Sequence, residues 1–288
     1  MEMQLEMQLE IKAIVMKKHN NWYLLVSFLI AGVLPANLGA QEGGDKATEA
    51  IFHSVRFIEV DKENLDAFVK AVEEKTAKFN AAKGTSKWWT YQIIKGPRTN
   101  MFARGFGGAT AAELDTPKFG AQGFGPNWEA EEAQYWKKHI RPLEKSAGKA
   151  ELWREIVGTQ YQGLAKDIRP RFVRHRKWKM LPGMYQRLEL HYQKLTKAIA
   201  ASKRPINWGV GRLEMGGDFM TYAETISFNR LSDTLLADDV RLHFDKIHGE
   251  GAWKEWLVEN SQIMQPNAEV ITEVWQYKPK MSNGSLGK

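Results

Sequence analysis

Two arginines have the chemistry and the spacing of an anion-binding pair. Arg56 and Arg176 each follow a phenylalanine by four residues, in stretches rich in aromatic and β-branched residues. Since side chains alternate between the two faces of a strand, each arginine shares a strand face with its phenylalanine. A buried guanidinium needs a carboxylate or phosphate partner. Two interpretations stay open: contacts to an anionic ligand inside the fold, or surface cations that pair with Glu224 or Glu273.

Aromatic residues are the second group that a binding site would use. The chain has 11 Trp. Trp88 and Trp208 stand at the start of two apolar stretches, and Tyr222 lies in the stretch after the second of them. Such rings bury a large area, so they either pack the boundary between a sheet and its helices or wall a cavity for a planar or apolar ligand.

Three histidines are candidates for a haem ligand. His191 lies beside an apolar stripe with helical spacing, and His243 and His248 follow in a later helical stretch. One axial imidazole is enough for haem, and the other interpretation is a structural histidine at a helix flank. A zinc site needs three or four ligands at suitable spacing, and the sequence has neither HExxH nor a comparable cluster. We therefore predict no metal-ion site and leave haem open as a cofactor.

Composition excludes other chemistry. The sequence has no cysteine, which excludes thiolate catalysis, cysteine-bound metals and disulfides. No GxSxG segment offers a serine nucleophile, and GFGG at 105–108 lacks the Lys-Ser/Thr of a phosphate-binding loop. The formal net charge is +7, and six Arg or Lys fall within 169–179. This basic run is expected either to form a charged strand edge or to face an anionic ligand.

The N-terminus has the three parts of a secretory signal peptide. A basic stretch begins at Met16, an apolar run covers 22–34, and small residues precede Ala40. The apolar run is shorter than the roughly 20 residues that span a bilayer. We predict a true start at Met16, cleavage after Ala40, and a periplasmic or secreted protein with no integral membrane segment and no nucleic-acid partner. Residues 1–40 are then extension and signal peptide, and 41–50 a linker.

The chain from residue 51 onward repeats itself at a separation of about 120 residues. The matches keep one register from Phe52 against Phe172 to Phe102 against Tyr222. Small length changes then bring AELWREIVG at 150–158 onto AEVITEVWQ at 268–276. We predict two repeats, 51–160 and 161–279, followed by a flexible tail at 280–288.

Each repeat has the pattern of a ferredoxin-like unit. Alternating aromatic and β-branched residues predict strands, and apolar residues at helical spacing predict helices, in the order β-α-β-β-α-β. Four strands with both helices on one face leave the other face of the sheet uncovered, and two such units can cover each other. The predicted fold is α+β, with two tandem ferredoxin-like βαββαβ units packed as a pseudo-dimer.

This order of elements, duplicated from Phe52 to about Tyr277, resembles the dimeric α/β-barrel superfamily. No residue motif of a subfamily carries the resemblance. It implies a ligand cavity between sheet and helices or inside the barrel. The functions it implies are those of cofactor-independent monooxygenases for aromatic polyketides, haem-degrading monooxygenases, chlorite dismutase-like and dye-decolourising haem peroxidases, isomerases and stress proteins.

The sequence therefore favours an exported small-molecule-binding α/β-barrel protein. It is either a cofactor-independent or haem-dependent oxidoreductase acting on an aromatic or apolar-anionic ligand, or a non-catalytic periplasmic ligand-binding or stress-related protein. If it is an enzyme, we expect a monooxygenase- or peroxidase-like oxidoreductase. The partner in either case is a small apolar or anionic molecule, and a homodimer stays open.

Overall fold

The computed structural model describes residues 50–81, 88–115, 130–165, 170–234 and 237–283. The predicted signal peptide and its linker, up to residue 49, lie outside the described residues. In the described part of the chain, no helix is long and apolar enough to cross a membrane.

Nine strands and six α-helices form within these residues. The strands are β1 (Ile51–Glu59), β2 (Trp89–Lys95), β3 (Phe102–Thr110), β4 (Ser146–Glu155), β5 (Tyr161–Gln162), β6 (Phe172–Lys179), β7 (Asn207–Met215), β8 (Thr221–Phe228) and β9 (Ile271–Tyr277). The α-helices are α1 (Leu65–Phe79), α2 (Ala111–Leu114), α3 (Ala130–Tyr135), α4 (Tyr185–Ala201), α5 (Ala237–His248) and α6 (Ala252–Ile263). Helix α3 continues into a π-helical turn (Trp136–Ile140) and a 3-10 turn (Arg141–Leu143), and another 3-10 turn covers Pro279–Met281.

Eight of the strands form a closed antiparallel barrel. The first half of the chain contributes the order β4-β1-β3-β2, and the second half contributes β9-β6-β8-β7. The sheet closes because β2 pairs with β9 and β4 pairs with β7, and the short β5 adds a pairing to β7. Strand β6, which carries most of the basic run at 169–179, is paired with both β8 and β9. The basic run is therefore not a strand edge, because closure of the barrel leaves no edge there.

The alternation of side chains separates the inside of the barrel from the outside. One buried cluster fills the interior, and within each strand its residues are an even number of positions apart, as the period of two requires: Val55, Phe57, Trp89, Tyr91, Ile93, Ala103, Trp153, Val173, Leu213, Ala223 and Trp275. Even-numbered strand residues such as Phe102 and Tyr222 pack beneath the helices instead. The position of a residue in a strand thus decides whether it faces the barrel interior or the helix layer.

The helices cover the outside of the barrel in two groups. Helices α4, α5 and α6 cover the second half, and α1 with the turns after α3 covers the first. Phe68 and Val72 of α1 are one helical turn apart, and both are buried against the sheet. The next positions on the same stripe are Lys75 and Thr76, which are buried as well. The apolar stripe of α1 therefore carries a lysine into the core.

The C-terminal segment packs against the first half of the chain. The sequence predicts a flexible tail from residue 280, but Met281 is fully buried in the cluster beneath α1. Ser282 and Asn283 accept hydrogen bonds from the backbone N–H groups of Thr90 and Trp88. This segment has the composition of a linker, but the apolar side chain of Met281 packs into the core and holds the segment in place. Residues 284–288 lie outside the described residues.

The two closing strands, β4 and β9, have a different register from the one that the sequence comparison predicts. In the ladder, Val55 of β1 lies opposite Glu151 of β4. His175 of β6, which the repeat matches to Val55, lies opposite Glu273 of β9. Glu151 therefore corresponds to Glu273, and each is followed two residues later by a tryptophan. The alignment of AELWREIVG with AEVITEVWQ is wrong by four residues, because strand pairing and not residue identity fixes the register.

Candidate functional site

The predicted arginine pair does not form one site. Arg56 and Arg176 are even-numbered strand residues on the outer side of the barrel wall, one in each half. Arg56 is exposed. Arg176 is half-buried, with its Cζ 5.9 Å from the ring centre of Trp178. Its cross-strand neighbour Glu224 forms an ion pair with a different arginine on the same strand.

The predicted aromatic residues Trp88, Trp208 and Tyr222 are all buried beneath the helices. Trp208 stacks on Tyr192 of α4, with 6.2 Å between ring centres, and Tyr222 belongs to the same core cluster. Burial raises the pKa of Tyr222 above its ordinary value. Trp208 and Tyr222 therefore pack the core of the second half, whereas Trp88 borders the group of charged residues described below.

The three candidate histidines lie on helices α4 and α5 of the second half. The ring of His191 stacks on Trp256 with 4.2 Å between ring centres, and its Nδ1 lies 3.2 Å from Glu259. His248 Nε2 lies 3.1 Å from a backbone carbonyl of α4, and His243 is half-buried on α5. An axial imidazole needs an open face of porphyrin size beside it. Neither of the two cavities described below is lined by these histidines, and haem stays a prediction.

Metal-ion sites were not predicted from the sequence. Within the described ranges, no group of three or more His, Cys, Asp or Glu side chains could hold a metal ion.

Four buried polar side chains lie together between α1 and the sheet of the first half. They are Lys75, Asn80, Arg104 and Glu132, and we call them the polar cluster. Lys75 is 0% exposed, Arg104 is 3% exposed and Glu132 is 4% exposed. Lys, Arg and Glu are almost never buried this deeply unless they are paired or functional. The partners of each charge therefore decide what the cluster can do.

Lys75, Asn80 and Glu132 contact one another. Lys75 Nζ forms an ion pair with Glu132 and donates a hydrogen bond to Asn80 Oδ1 at 2.7 Å. Asn80 Nδ2 donates to the carboxylate of Glu132 at 3.1 Å. The single carboxylate of the cluster is thus engaged by the lysine and the amide.

Arg104 is only partly satisfied. Its Nη1 donates to Thr90 Oγ1 at 2.6 Å and to the carbonyl oxygen of Met281 at 2.8 Å. Its Nε and Nη2 are buried and have no hydrogen-bond partner among the described residues. Two indoles flank the guanidinium, because its Cζ lies 5.0 Å from the ring centre of Trp88 and 5.4 Å from that of Trp136. Two donor groups of a buried cation are therefore left for another molecule.

The electrostatics of the cluster leave positive charge in excess. Burial and, to a lesser extent, repulsion from Arg104 lower the pKa of Lys75 to about 7, although the contact with Glu132 opposes both effects. Burial also lowers the pKa of Arg104 to about 10, again opposed by Glu132. At neutral pH Arg104 is charged, Lys75 is protonated in part of the molecules, and one carboxylate faces both. This surplus attracts an anion.

A cavity of about 460 Å³ lies between α1 and the C-terminal segment, and none of the four residues of the polar cluster lines it. Thr76, Ser282 and Asn283 are among the residues that do. Asn283 Nδ2 donates to the backbone carbonyl of Asn80 at 2.7 Å, and Ser282 Oγ accepts from the N–H of Thr90. The C-terminal segment therefore contacts both the cavity and the residues around Arg104.

Sequence reasoning missed the polar cluster although two signals were present. Arg104 alternates with Phe102 and Phe106 on one face of β3, which is the pattern that singled out Arg56 on β1. Lys75 lies three residues after Val72, at a position where the apolar stripe of α1 calls for an apolar residue. The position of Glu132 in the sequence does not predict burial. Its helix is too short to show an apolar stripe, and other acidic residues are next to it in the sequence.

The barrel interior holds a second set of polar groups. His175 is buried and stacks on Trp275 with 4.5 Å between ring centres. Its Nδ1 has no hydrogen-bond partner within the described ranges. Burial holds the pKa of His175 well below its ordinary value, with repulsion from Arg98 and Lys177 as lesser causes. His175 is therefore neutral at physiological pH.

Two ion pairs inside the barrel join the halves of the chain. Arg98 pairs with Glu273 at 2.7 Å, and Lys177 pairs with Glu151 at 3.3 Å. The indole N–H of the tryptophan two residues after each glutamate donates to it, at 2.9 and 3.1 Å. A cavity of about 340 Å³ at this end of the barrel is lined in part by Glu151 and Lys177. Because these charges compensate each other, they contribute to the structure and attract an ion less than the polar cluster does.

Comparisons with known proteins give neighbours among solved structures alone. No protein-family model matches the chain, and no curated protein matches its sequence. A proposed monooxygenase from Lactobacillus acidophilus NCFM has 12% identity and a TM-score of 0.49, over 79% of this chain and 94% of that chain. A variant of chlorite dismutase from Candidatus Nitrospira defluvii, in complex with cyanide, has 9% identity and a TM-score of 0.48, over 80% and 92%. An anthrone oxidase-like protein has 12% identity and a TM-score of 0.45, over 83% and 95%.

These likenesses have 9% to 12% identity and TM-scores below 0.5, so they carry no argument about the activity or ligand of this chain. What this chain binds has to be argued from its own side chains.

Proposed function

We propose that this chain is an exported protein, built of two ferredoxin-like units packed as a pseudo-dimer, that binds a small organic anion at the polar cluster. The observation that carries the proposal is the pair of buried, unpartnered nitrogen atoms of Arg104. A buried guanidinium that is 3% exposed is stable only when its donors are used, and a carboxylate offers two acceptors in matching geometry.

The residues around Arg104 favour an anion with an aromatic or apolar part. Trp88 and Trp136 both lie within about 6 Å of the guanidinium, and both are buried. Aromatic walls with a few placed polar groups are the usual composition of small-molecule sites. An aromatic carboxylic acid combines the two properties, so we expect this class of ligand. Association into a homodimer stays a prediction.

Replacing Arg104 by methionine is expected to weaken the binding of an aromatic carboxylate about tenfold to a hundredfold. The change removes charge-assisted hydrogen bonds worth about 1.5 to 3 kcal/mol. Phenyllactate is a suitable probe, and quenching of tryptophan fluorescence or calorimetry gives its affinity. The fold should survive, because Met281 keeps a hydrogen bond from the hydroxyl group of Thr90 when the arginine is absent.

Arg56→Met is the matched control for this experiment. Arg56 lies directly opposite Arg104 in the β1–β3 ladder and is exposed, so both variants lose one positive charge at neighbouring places. We expect Arg56→Met to bind phenyllactate like the wild type. Equal losses in the two variants, or a wild type that binds no aromatic carboxylate, would refute the proposed function.

Export is supported by the sequence pattern alone. The basic stretch from Met16, the apolar run at 22–34 and the small residues before Ala40 together favour cleavage after Ala40. Expression from Met16 in a bacterial host should give a periplasmic or secreted protein whose intact mass corresponds to a start at Gln41. A mature protein that still contains residues 22–34 would contradict export.

A further inference from the structure

Lys75 has the surroundings of a nucleophilic amine. It occupies a core position of α1, is fully buried, and lies with its Nζ 5.9 Å from the ring centre of Trp88. Arg104 lies over the same indole ring, and its charge repels that of Lys75. Desolvation and a neighbouring cation are the two means by which proteins convert a lysine into a reactive amine.

The protonation of Lys75 fits this role. With its pKa lowered to about 7, a large fraction of the side chain is the neutral amine at physiological pH. The groups that act on it are Arg104 from β3, which favours the neutral form, and Glu132 from α3, which favours the charged form. An ordinary surface lysine, with a pKa of about 10.4, is almost entirely charged under the same conditions.

We propose that Lys75 forms an imine with the carbonyl group of a 2-oxo acid whose carboxylate is bound by Arg104. The inference rests on the proposed function, since Arg104 has to hold the acid. The neutral amine nitrogen attacks the carbonyl carbon, and one proton passes from this nitrogen to the carbonyl oxygen, which gives a carbinolamine. The second proton of the nitrogen passes to the hydroxyl group, which leaves as water, and the C=N bond remains. No oxidant or reductant takes part.

Glu132 and Asn80 have positions that suit the proton transfers of this reaction. Glu132 contacts Lys75 Nζ, so its carboxylate can accept the proton that the nitrogen loses after attack. In each of the two steps it can pass the proton on to the oxygen atom that finally leaves as water. Asn80 bonds to both the lysine and the glutamate and keeps them in place. Glu132 therefore transfers protons between Lys75 and the bound acid, and Asn80 is a positioning residue.

Reductive trapping tests the proposal. The full-length mature protein is incubated with phenylpyruvate and sodium cyanoborohydride, and intact mass and peptide mapping locate the adduct. We expect one adduct per chain, on Lys75, formed faster as the pH rises through about 7. Phenyllactate has the same carboxylate and ring but no carbonyl group, so it should bind and give no adduct.

Two variants control this experiment. Lys75→Arg cannot form an imine, so the adduct should fall at least about tenfold. Lys70→Arg changes an exposed lysine of the same helix and should leave labelling unchanged. If Lys75→Arg does not fold, the peptide map of the wild type still decides which lysine reacts.

The outcomes separate the two proposals. If both acids bind in an Arg104-dependent way but Lys75 is unlabelled, or surface lysines are labelled equally fast, the imine is refuted and the proposed function stands. If neither acid binds, the proposed function fails and the imine with it.

Discussion

Replacing Glu132 by glutamine is expected to lower the free energy of unfolding by about 3 to 5 kcal/mol at neutral pH. Glu132 is the only carboxylate of the polar cluster, and its removal leaves Lys75 and Arg104 buried without an opposite charge. The amide of glutamine can still accept a hydrogen bond from Lys75, so the loss is one of charge and not of shape. Urea denaturation of the wild type and the variant measures the difference.

Glu131→Gln is the matched control for this prediction. Glu131 precedes Glu132 in the same helix and is exposed, so its replacement should change the stability by no more than about 0.5 kcal/mol. The effect of Glu132→Gln should also shrink in alkaline solution, where Lys75 loses its proton in the folded protein. Equal effects of the two substitutions would mean that Glu132 is not the counter-ion of a buried cation.

The stability of the wild type is expected to rise from about pH 7 to about pH 10 through Lys75. Its pKa is about 7 in the folded protein, against an ordinary value of 10.5. Between these values the unfolded chain holds more protons than the folded one, so a higher pH favours the folded state. At about 1.4 kcal/mol for each pKa unit, the gain is at most about 5 kcal/mol.

Lys75→Met isolates this contribution from the other groups that titrate in alkaline solution. Urea denaturation of the wild type and Lys75→Met at several pH values gives two curves. Their difference should grow in favour of the wild type as the pH rises, and level off below about pH 7. A difference that falls with pH would show that Lys75 is held in its charged form, which would also remove the basis for its reactivity as an amine.

Both predictions concern the polar cluster, which lowers the free energy of unfolding of the ligand-free protein. Two buried cations face one carboxylate, and two guanidinium nitrogens have no partner in the described part of the chain. Proteins tolerate such arrangements where a ligand binds to the unpaired groups. A ligand that binds only the folded state raises the free energy of unfolding and so offsets the loss. We therefore expect an aromatic carboxylate to raise the melting temperature of the wild type more than that of Arg104→Met.

The sequence alone determined the local structure and the class of fold. The period of two in the strands and the helical spacing of Phe68 and Val72 are set by which side chains must leave water. Trp88, Trp208 and Tyr222 are buried under the helices, and this packing is one of the two interpretations that the sequence leaves open for them. These patterns depend on neighbours in the chain, so they can be read without knowing what lies across the fold.

The tertiary structure alone decided how the strands close and which charges are buried. The pairings of β2 with β9 and of β4 with β7 join strands that are far apart in sequence, and no local pattern encodes them. Arg56 and Arg104 lie opposite each other on the same side of the barrel wall, yet only Arg104 is buried. The reason is that Trp88, Trp136 and Met281, from three distant segments, surround Arg104. Burial of a charge is a property of what covers it, and that covering exists only after the chain has folded.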